Sequence, residues 1–170
     1  MGYVLLGVRL HHTPLLEVTG AKWKTPKDLF RDIGIALLFW FLALMVLAVL
    51  AHLLHVKPNV RYLAPNGPLQ VVLWILVSIS AGICEETIFR GYLQKQFIAW
   101  TGSVPAGVLL SAAAFGAGHI YQGAKSAVVV GVYGLMFGIL AQKRGSRRPG
   151  MIAHALHDTI AGIAMKFVPK

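Results

Sequence analysis

Residues 71–94 read VVLWILVSISAGICEETIFRGYLQ, an apolar run that ends in two carboxylates and a guanidinium. The run is apolar enough to lie in lipid, where an ionisable side chain costs several kcal/mol unless it has a partner or faces water. Glu85, Glu86 and Arg90 therefore indicate a membrane helix that turns these charges toward a polar cavity inside a bundle.

The composition of the whole chain is that of a membrane protein. Of its 170 residues, 56% are hydrophobic and only 13% are charged, whereas about a quarter of the residues of a soluble domain are charged. The net charge of +10 comes from short Lys and Arg clusters between apolar segments, so we expect no nucleic-acid partner. The single cysteine, Cys84, excludes an internal disulfide and a zinc site built from several cysteines.

Apolar segments of helical length recur from Asp32 onward. Residues 33–54 carry no formal charge, and this segment is long enough to cross a hydrocarbon core about 30 Å thick. Four further candidates are residues 69–100, 105–121, 123–142 and 149–168. We predict an all-α polytopic bundle of about five membrane-spanning helices around a polar cavity. Residues 1–31 are then an N-terminal cytoplasmic or interfacial segment, and residues 32–170 one membrane domain.

Basic clusters predict the orientation of the bundle. They consist of Lys22, Lys24, Lys27 and Arg31 before the first span, and of Lys143, Arg144, Arg147 and Arg148 before the fifth. An even number of reversals separates the clusters, so they share one side, which the positive-inside rule makes cytoplasmic. The outer loops carry only Lys57 and Arg61, then Lys125. The N-terminus is therefore expected on the cytoplasmic side.

The two adjacent carboxylates predict different roles. Glu86 and Arg90 are four residues apart, so they share a helix face and can form an ion pair. Glu85 is turned about 100° from Glu86 on an α-helix, so Arg90 cannot easily serve both carboxylates. Glu85 therefore needs another partner.

Two later apolar segments carry polar side chains at helical spacing. Phe115 and His119 share a face in FGAGH (115–119), and His154 and Asp158 share a face in HALHD (154–158). A single histidine in such a helix usually packs and bonds to a carbonyl. The two histidines, Asp158 and Glu85 are together most easily satisfied by converging on one wet cavity.

The chemistry of such a set is hydrolysis. A carboxylate and an imidazole can hold a water and remove its proton as it attacks a carbonyl carbon. A second imidazole and a short polar side chain can then stabilise the oxyanion. The same side chains could instead ligate Zn²⁺ with one position open for water. Spacing along the chain does not separate the two possibilities.

Three motifs in order carry a resemblance to a known family. They are EExxxR (Glu85, Glu86 and Arg90), FxxxH (Phe115 and His119) and HxxxN/D (His154 and Asp158). With them the chain resembles the CPBP family of intramembrane proteases. That family includes the CAAX prenyl proteases of the Rce1 type and bacterial Abi relatives linked to bacteriocin processing or self-immunity. The resemblance spans about 69–163.

The resemblance implies an intramembrane endopeptidase with a cavity open to the cytosol. Glu85 and His119 would activate the attacking water. The oxyanion would be stabilised by His154 and Asp158, and the residues that support the site would be Glu86, Arg90 and Phe115. The expected partners are membrane lipid and a peptide or protein substrate, with or without a CAAX-like lipid group. The expected location is a bacterial or archaeal cytoplasmic membrane.

The sequence leaves three questions open. The resemblance favours a glutamate-based mechanism without a cofactor, and the alternative is a zinc protease with Glu85, His119 and His154 as ligands. The prenyl proteases have Asn where this chain has Asp158, and an Asp donates a hydrogen bond to an oxyanion only when protonated. The remaining alternative is a non-catalytic membrane immunity or scaffold protein that uses the polar cluster as a structural core.

Overall fold

The computed structural model describes residues 2–10, 14–20, 22–56 and 64–167, which form helices and no strands. The α-helices are α1 (Gly2–Leu10), α2 (Leu15–Thr19), α3 (Pro26–Leu53), α4 (Pro68–Glu85), α5 (Gln94–Thr101), α6 (Val104–Gly118), α7 (Ala124–Arg144) and α8 (Arg148–Ala164). A π-helix, Glu86–Leu93, joins α4 to α5, and short 3₁₀ turns lie at Ile120–Gln122 and Met165–Phe167. The predicted all-helical fold is confirmed.

Helices occupy all five predicted positions. Within the described ranges, three continuous helical stretches are long and apolar enough to cross a membrane: Pro26–Leu53, Pro68–Thr101 and Ala124–Arg144. The other two helices, α6 and α8, are shorter, with 15 and 17 residues. The chain is therefore an integral membrane protein with a helical bundle. Lys57 and Arg61 of the predicted outer loop, and Val168 at the predicted end of the last span, lie outside the described residues.

The first long helix begins earlier than its apolar segment, which was expected to start at residue 33. Thr25 caps α3, because its side chain accepts a hydrogen bond from the Asp28 backbone N–H while the Asp28 carboxylate accepts one from the Thr25 N–H. Pro26 occupies the first helical turn, where its missing N–H costs nothing. Polar capping residues thus extend the helix beyond the apolar run.

The helical stretch over the predicted span 69–100 departs from α-helical geometry at the motif itself. The Gln94 N–H bonds to the Phe89 carbonyl five residues earlier, which is the π-helical pattern. The same carbonyl also accepts a 2.8 Å hydrogen bond from the Ser111 hydroxyl of α6. The wider turn places Glu86, Thr87, Arg90 and Gly91 on the buried face. A run of polar side chains can therefore face the interior without breaking the span.

Glycines let the helices approach closely. Helix α4 packs along α8 and α6 packs along α7, while α3 covers α7 and α8. A methyl group at Gly82 would lie 2.7 Å from the Met151 carbonyl, and one at Gly116 would lie 2.7 Å from the Ala127 carbonyl. These contacts, like those of small residues in other membrane bundles, bring backbones together. They bring the polar faces of the π-helix, α7 and α8 close to one another.

The short helix α2 is held against the π-helix. Its Val18 side chain is buried and packs on Ile88 and Tyr92. The Glu17 carbonyl accepts hydrogen bonds from Lys95 Nζ, at 2.9 Å, and from the Arg147 guanidinium. The N-terminal segment is therefore docked on the same end of the bundle as the loop between α7 and α8.

Candidate active site

The His154 imidazole lies at the centre of the polar cluster. It is only 3% exposed, and its Nδ1 lies 3.2 Å from Glu86 Oε1. Its Nε2 lies 3.7 Å from Glu85 Oε2 and 3.6 Å from Asp158 Oδ2. One ring thus meets three carboxylates contributed by the end of α4, the start of the π-helix and α8.

Glu86 and Arg90 form the ion pair that their spacing predicts. The Arg90 Nη1 donates to Glu86 Oε1 at 2.8 Å, and both side chains are almost fully buried. The second guanidinium nitrogen, Nη2, donates to the Gly134 carbonyl of α7 at 3.0 Å. Because Glu86 Oε1 also accepts from His154 Nδ1, the pair fixes the imidazole as well as the π-helix.

Phe115 contacts both the buried cation and the two motif histidines. The Arg90 guanidinium carbon lies 4.3 Å from the centre of the Phe115 ring, within the range of a cation–π interaction. The same ring lies 4.7 Å from the His119 ring and 5.9 Å edge-on from the His154 ring. The two motif histidines therefore lie against one aromatic side chain.

His119 follows the last residue of α6 and is half-buried. Its Nδ1 lies 2.8 Å from the Phe115 carbonyl. A carbonyl oxygen can only accept, so we assign the proton to Nδ1, which leaves Nε2 of the neutral ring as an acceptor. Within the described residues no ion pair or hydrogen bond joins His119 to Glu85. The direct carboxylate contact in this region is made by His154.

Glu85 carries an unsatisfied oxygen. Its side chain is 30% exposed, yet Oε2 is buried and accepts no hydrogen bond from any described residue. The 3.7 Å separation from His154 Nε2 is too long for a good hydrogen bond. Buried acceptors in native structures nearly always have a donor, and water supplies it where the protein does not. The site therefore has one buried acceptor, beside His154 Nε2, that no described residue satisfies.

Helix α7 supplies side chains that we did not predict. Phe137 stacks on His154 with ring centres 5.3 Å apart. Tyr133 is 5% exposed, its ring lies 4.8 Å from that of His157, and its hydroxyl has no hydrogen-bond partner among the described residues. The four-residue spacing of these aromatics is visible in the sequence, but packing against a lipid-buried helix would produce the same spacing.

The predicted zinc ligands do not form a set. In the part of the chain that the structure describes, no three His, Cys, Asp or Glu side chains are arranged to hold a metal ion. Nδ1 of His119 and Nδ1 of His154 are each engaged by a protein oxygen, and His119 lies in no ion pair with Glu85. These contacts leave Nε2 of both rings without a hydrogen bond from the described residues, and metal-bound histidines are oriented through their other ring nitrogen in the same way.

Comparison with known proteins places the three motifs in one family model. The model, described as Rce1-like, type II CAAX prenyl endopeptidase, matches residues 66–160. The match covers more than half of the chain and runs from the start of α4 into α8, so it includes every motif residue from Glu85 to Asp158. No curated protein and no solved structure matches the chain.

Proposed function

The chain belongs to the Rce1-like family of type II CAAX prenyl endopeptidases, and from that premise we propose that Glu85 and His119 activate the water that cleaves its substrate. Membership supports an intramembrane endopeptidase that acts on a peptide or protein in the membrane. The proposed role of Glu85 is carried by its buried Oε2, an acceptor without a donor that lies beside the His154 imidazole.

In the proposed reaction, the Glu85 carboxylate accepts a proton from water as the water oxygen attacks the carbonyl carbon of the scissile bond. The free Nε2 of His119 is the second acceptor for the same water, because Nδ1 is held by the Phe115 carbonyl. The proton then passes to the leaving amine as the carbon–nitrogen bond breaks. The water oxygen thus stays on the carbonyl carbon and the proton on the leaving nitrogen, and no oxidant or reductant is needed.

Stabilisation of the oxyanion is assigned to two side chains of α8. In its protonated form His154 would donate from Nε2, while its Nδ1–H stays with Glu86. Asp158 reaches the same nitrogen and donates to an oxyanion only as the neutral acid. Glu86 and Phe115 act as positioning residues because they contact the imidazoles, and Arg90 acts through these two side chains.

We propose the glutamic mechanism in preference to a metal-dependent one. It is supported by the geometry of Glu85, His119 and His154, since the described residues include no three His, Cys, Asp or Glu side chains arranged to hold a metal ion. Metal analysis of active protein tests this choice. Stoichiometric zinc, together with activity that is lost to a chelator and restored by the metal, would contradict it.

We place the protein in a bacterial or archaeal cytoplasmic membrane, with residues 1–31 and the mouth of the cavity on the cytoplasmic side. The substrate is a membrane-bound or membrane-proximal chain, with or without a lipid group. The basic clusters at the start of α3 and at the end of α7 support this orientation.

The proposed function is tested with purified protein in liposomes and a panel of lipidated and unlipidated peptides. We expect Glu85→Gln and His119→Ala each to lower the cleavage rate by about 10²-fold or more. Cys84→Ser is the matched control, because it changes the neighbouring side chain of α4 and should leave the rate unchanged. Normal cleavage by Glu85→Gln would contradict the assignment.

The same variants separate an enzyme from a non-catalytic immunity or scaffold protein. A non-catalytic protein would keep its biological effect in cells with Glu85→Gln, provided that the variant reaches the membrane at the normal level. Loss of the effect at a normal membrane level supports catalysis.

A further inference from the structure

A second concave surface lies on the outer side of α4 and α8, away from the polar cluster. It encloses about 510 Å³. Its apolar walls include Ile79, Ile83, Ile152 and Ala155. One end is formed by the aromatic Trp23 and the cationic Arg148. We call this surface the α4–α8 groove. None of these residues belongs to the three motifs.

The groove is separated from the active site by the helices that build it. The Ile83 side chain is 45% exposed, whereas Glu86, three residues later, is buried against His154 and Arg90. Gly82 brings α4 and α8 into contact, because a methyl group there would lie 3.1 Å from the Ala155 methyl. The two helices thus present one polar face inward and one apolar face to the groove.

The cation at the end of the groove has no anionic partner. The Arg148 guanidinium carbon lies 4.5 Å from the centre of the Trp23 ring, and no described carboxylate lies within ion-pair distance of it. The nearby carboxylate of Asp32 is already taken by Arg144, Arg31 and the Trp23 indole N–H. Arg148 therefore keeps its charge available at the mouth of an apolar groove.

The position of this mouth matches the membrane interface. Trp side chains concentrate at the level of lipid headgroups, and Trp23 lies in the segment before α3, near exposed Lys22 and Lys24. Basic side chains at this level attract anionic lipids. The apolar walls then continue along α4 and α8, where an acyl chain replaces water at no polar cost.

We propose that the α4–α8 groove binds one anionic phospholipid. Its phosphate pairs with Arg148 over Trp23, and an acyl chain lies against Ile79, Ile83 and Ile152. The pairing of an unneutralised guanidinium with an otherwise apolar groove selects this occupant over a zwitterionic lipid, which brings its own cation. The proposal does not depend on peptide cleavage.

Native mass spectrometry of the full chain in detergent tests whether the Arg148 charge contributes to lipid binding. Phosphatidylglycerol should bind more tightly than phosphatidylcholine, and Arg148→Gln should weaken phosphatidylglycerol binding about fivefold. Arg148→Lys should retain most of the affinity, since it keeps the charge. Arg31→Gln, at the same end of the bundle but paired with Asp28 and Asp32, is the control and should change it little.

The shape of the groove is tested with a matched pair on α4. Ile79→Trp fills the groove and should displace the lipid, whereas Leu76→Trp adds the same side chain at an exposed position that does not line the groove. Equal binding of the two lipids, or equal effects of Arg148→Gln and Arg31→Gln, would overturn the proposal. A third outcome would also overturn it: the parent chain and Arg148→Gln both bind an uncharged prenyl ester in preference to phosphatidylglycerol. The groove would then hold the lipid chain of a substrate.

Discussion

At the scale of single residues, the site depends on one shared oxygen. Glu86 Oε1 accepts from the Arg90 guanidinium and from the His154 ring. Both Glu86 and Arg90 are almost completely removed from solvent, so each charge relies on the other for compensation. Loss of either partner leaves an uncompensated charge beside the imidazole.

Arg90→Met should therefore lower the free energy of unfolding by about 3–5 kcal/mol, since it strands the Glu86 carboxylate in the bundle. The double variant Glu86→Gln/Arg90→Met should be more stable than the single one, because neither charge remains. Thermal unfolding in detergent measures both. Arg31→Met, at an exposed ion pair, is the control with an expected cost below about 1 kcal/mol. Equal losses at positions 31 and 90 would refute the buried-pair account.

Asp158 differs from the Asn of the prenyl proteases, and its chemistry can be tested directly. Asp158→Asn supplies a permanent N–H donor and should keep or raise the cleavage rate. Asp158→Leu supplies none and should lower the rate about 10²-fold. Initial rates on one peptide measure the difference. If the Asn and Leu variants were equally slow, Asp158 would act through its negative charge on His154 and not as a donor.

At the scale of helices, the glycines of α7 accept hydrogen bonds from the buried polar side chains of the π-helix and α5. Gly134 and Gly138 each present a carbonyl, the first to Arg90 and the second to the Gln94 amide. A methyl group at Gly134 would lie 2.9 Å from Phe115 Cδ1 and 3.1 Å from Arg90 Nη2. The small-residue spacing therefore serves hydrogen bonding as well as helix packing.

Gly134→Ala should destabilise the bundle by about 1–3 kcal/mol through this overlap. Gly131→Ala on the same helix is the matched control, because its methyl group would meet neighbours at 3.6 Å or more and would raise helix propensity. Thermal unfolding of the two variants compares them. A Gly134→Ala variant as stable as Gly131→Ala would show that α7 can shift away from the Arg90 side chain.

The helices themselves were largely predictable, while their irregularities were not. Continuous apolar segments predicted helices at five positions, because lipid requires all backbone hydrogen bonds to be made within the segment. The π-helix of Glu86–Leu93 could not be predicted, because it arises from buried polar contacts such as those of Arg90 with α7 and of the Phe89 carbonyl with Ser111.

At the scale of the whole molecule, the basic clusters lie at one end of the bundle. Asp32 of α3 pairs with Arg144 at the end of α7, and Arg147 reaches the Glu17 carbonyl of α2. These contacts join segments that the positive-inside rule assigns to the cytoplasm. The docking of the N-terminal segment on the α7–α8 loop thus brings both clusters to one end of the bundle, as the even number of reversals predicts.

Cysteine labelling in intact cells tests this orientation in a Cys84→Ser background. A membrane-impermeant maleimide should label Lys125→Cys in intact cells and Lys143→Cys only after lysis. Both lysines are exposed, so accessibility within the protein does not separate them. The opposite labelling pattern would invert the proposed topology and place the mouth of the site on the other side.

The sequence by itself determined what depends on neighbours along the chain. Apolar segments long enough to span the membrane specify helices. A four-residue spacing places Glu86 beside Arg90 on one helix, independently of how the helices pack. Only the tertiary structure decided that His154 meets Glu85, Glu86 and Asp158 while His119 is held by the Phe115 carbonyl. Spacing fixes which side chains share a helix face, but which faces meet depends on where glycines allow α4, α7 and α8 to approach, over separations of many turns along the chain.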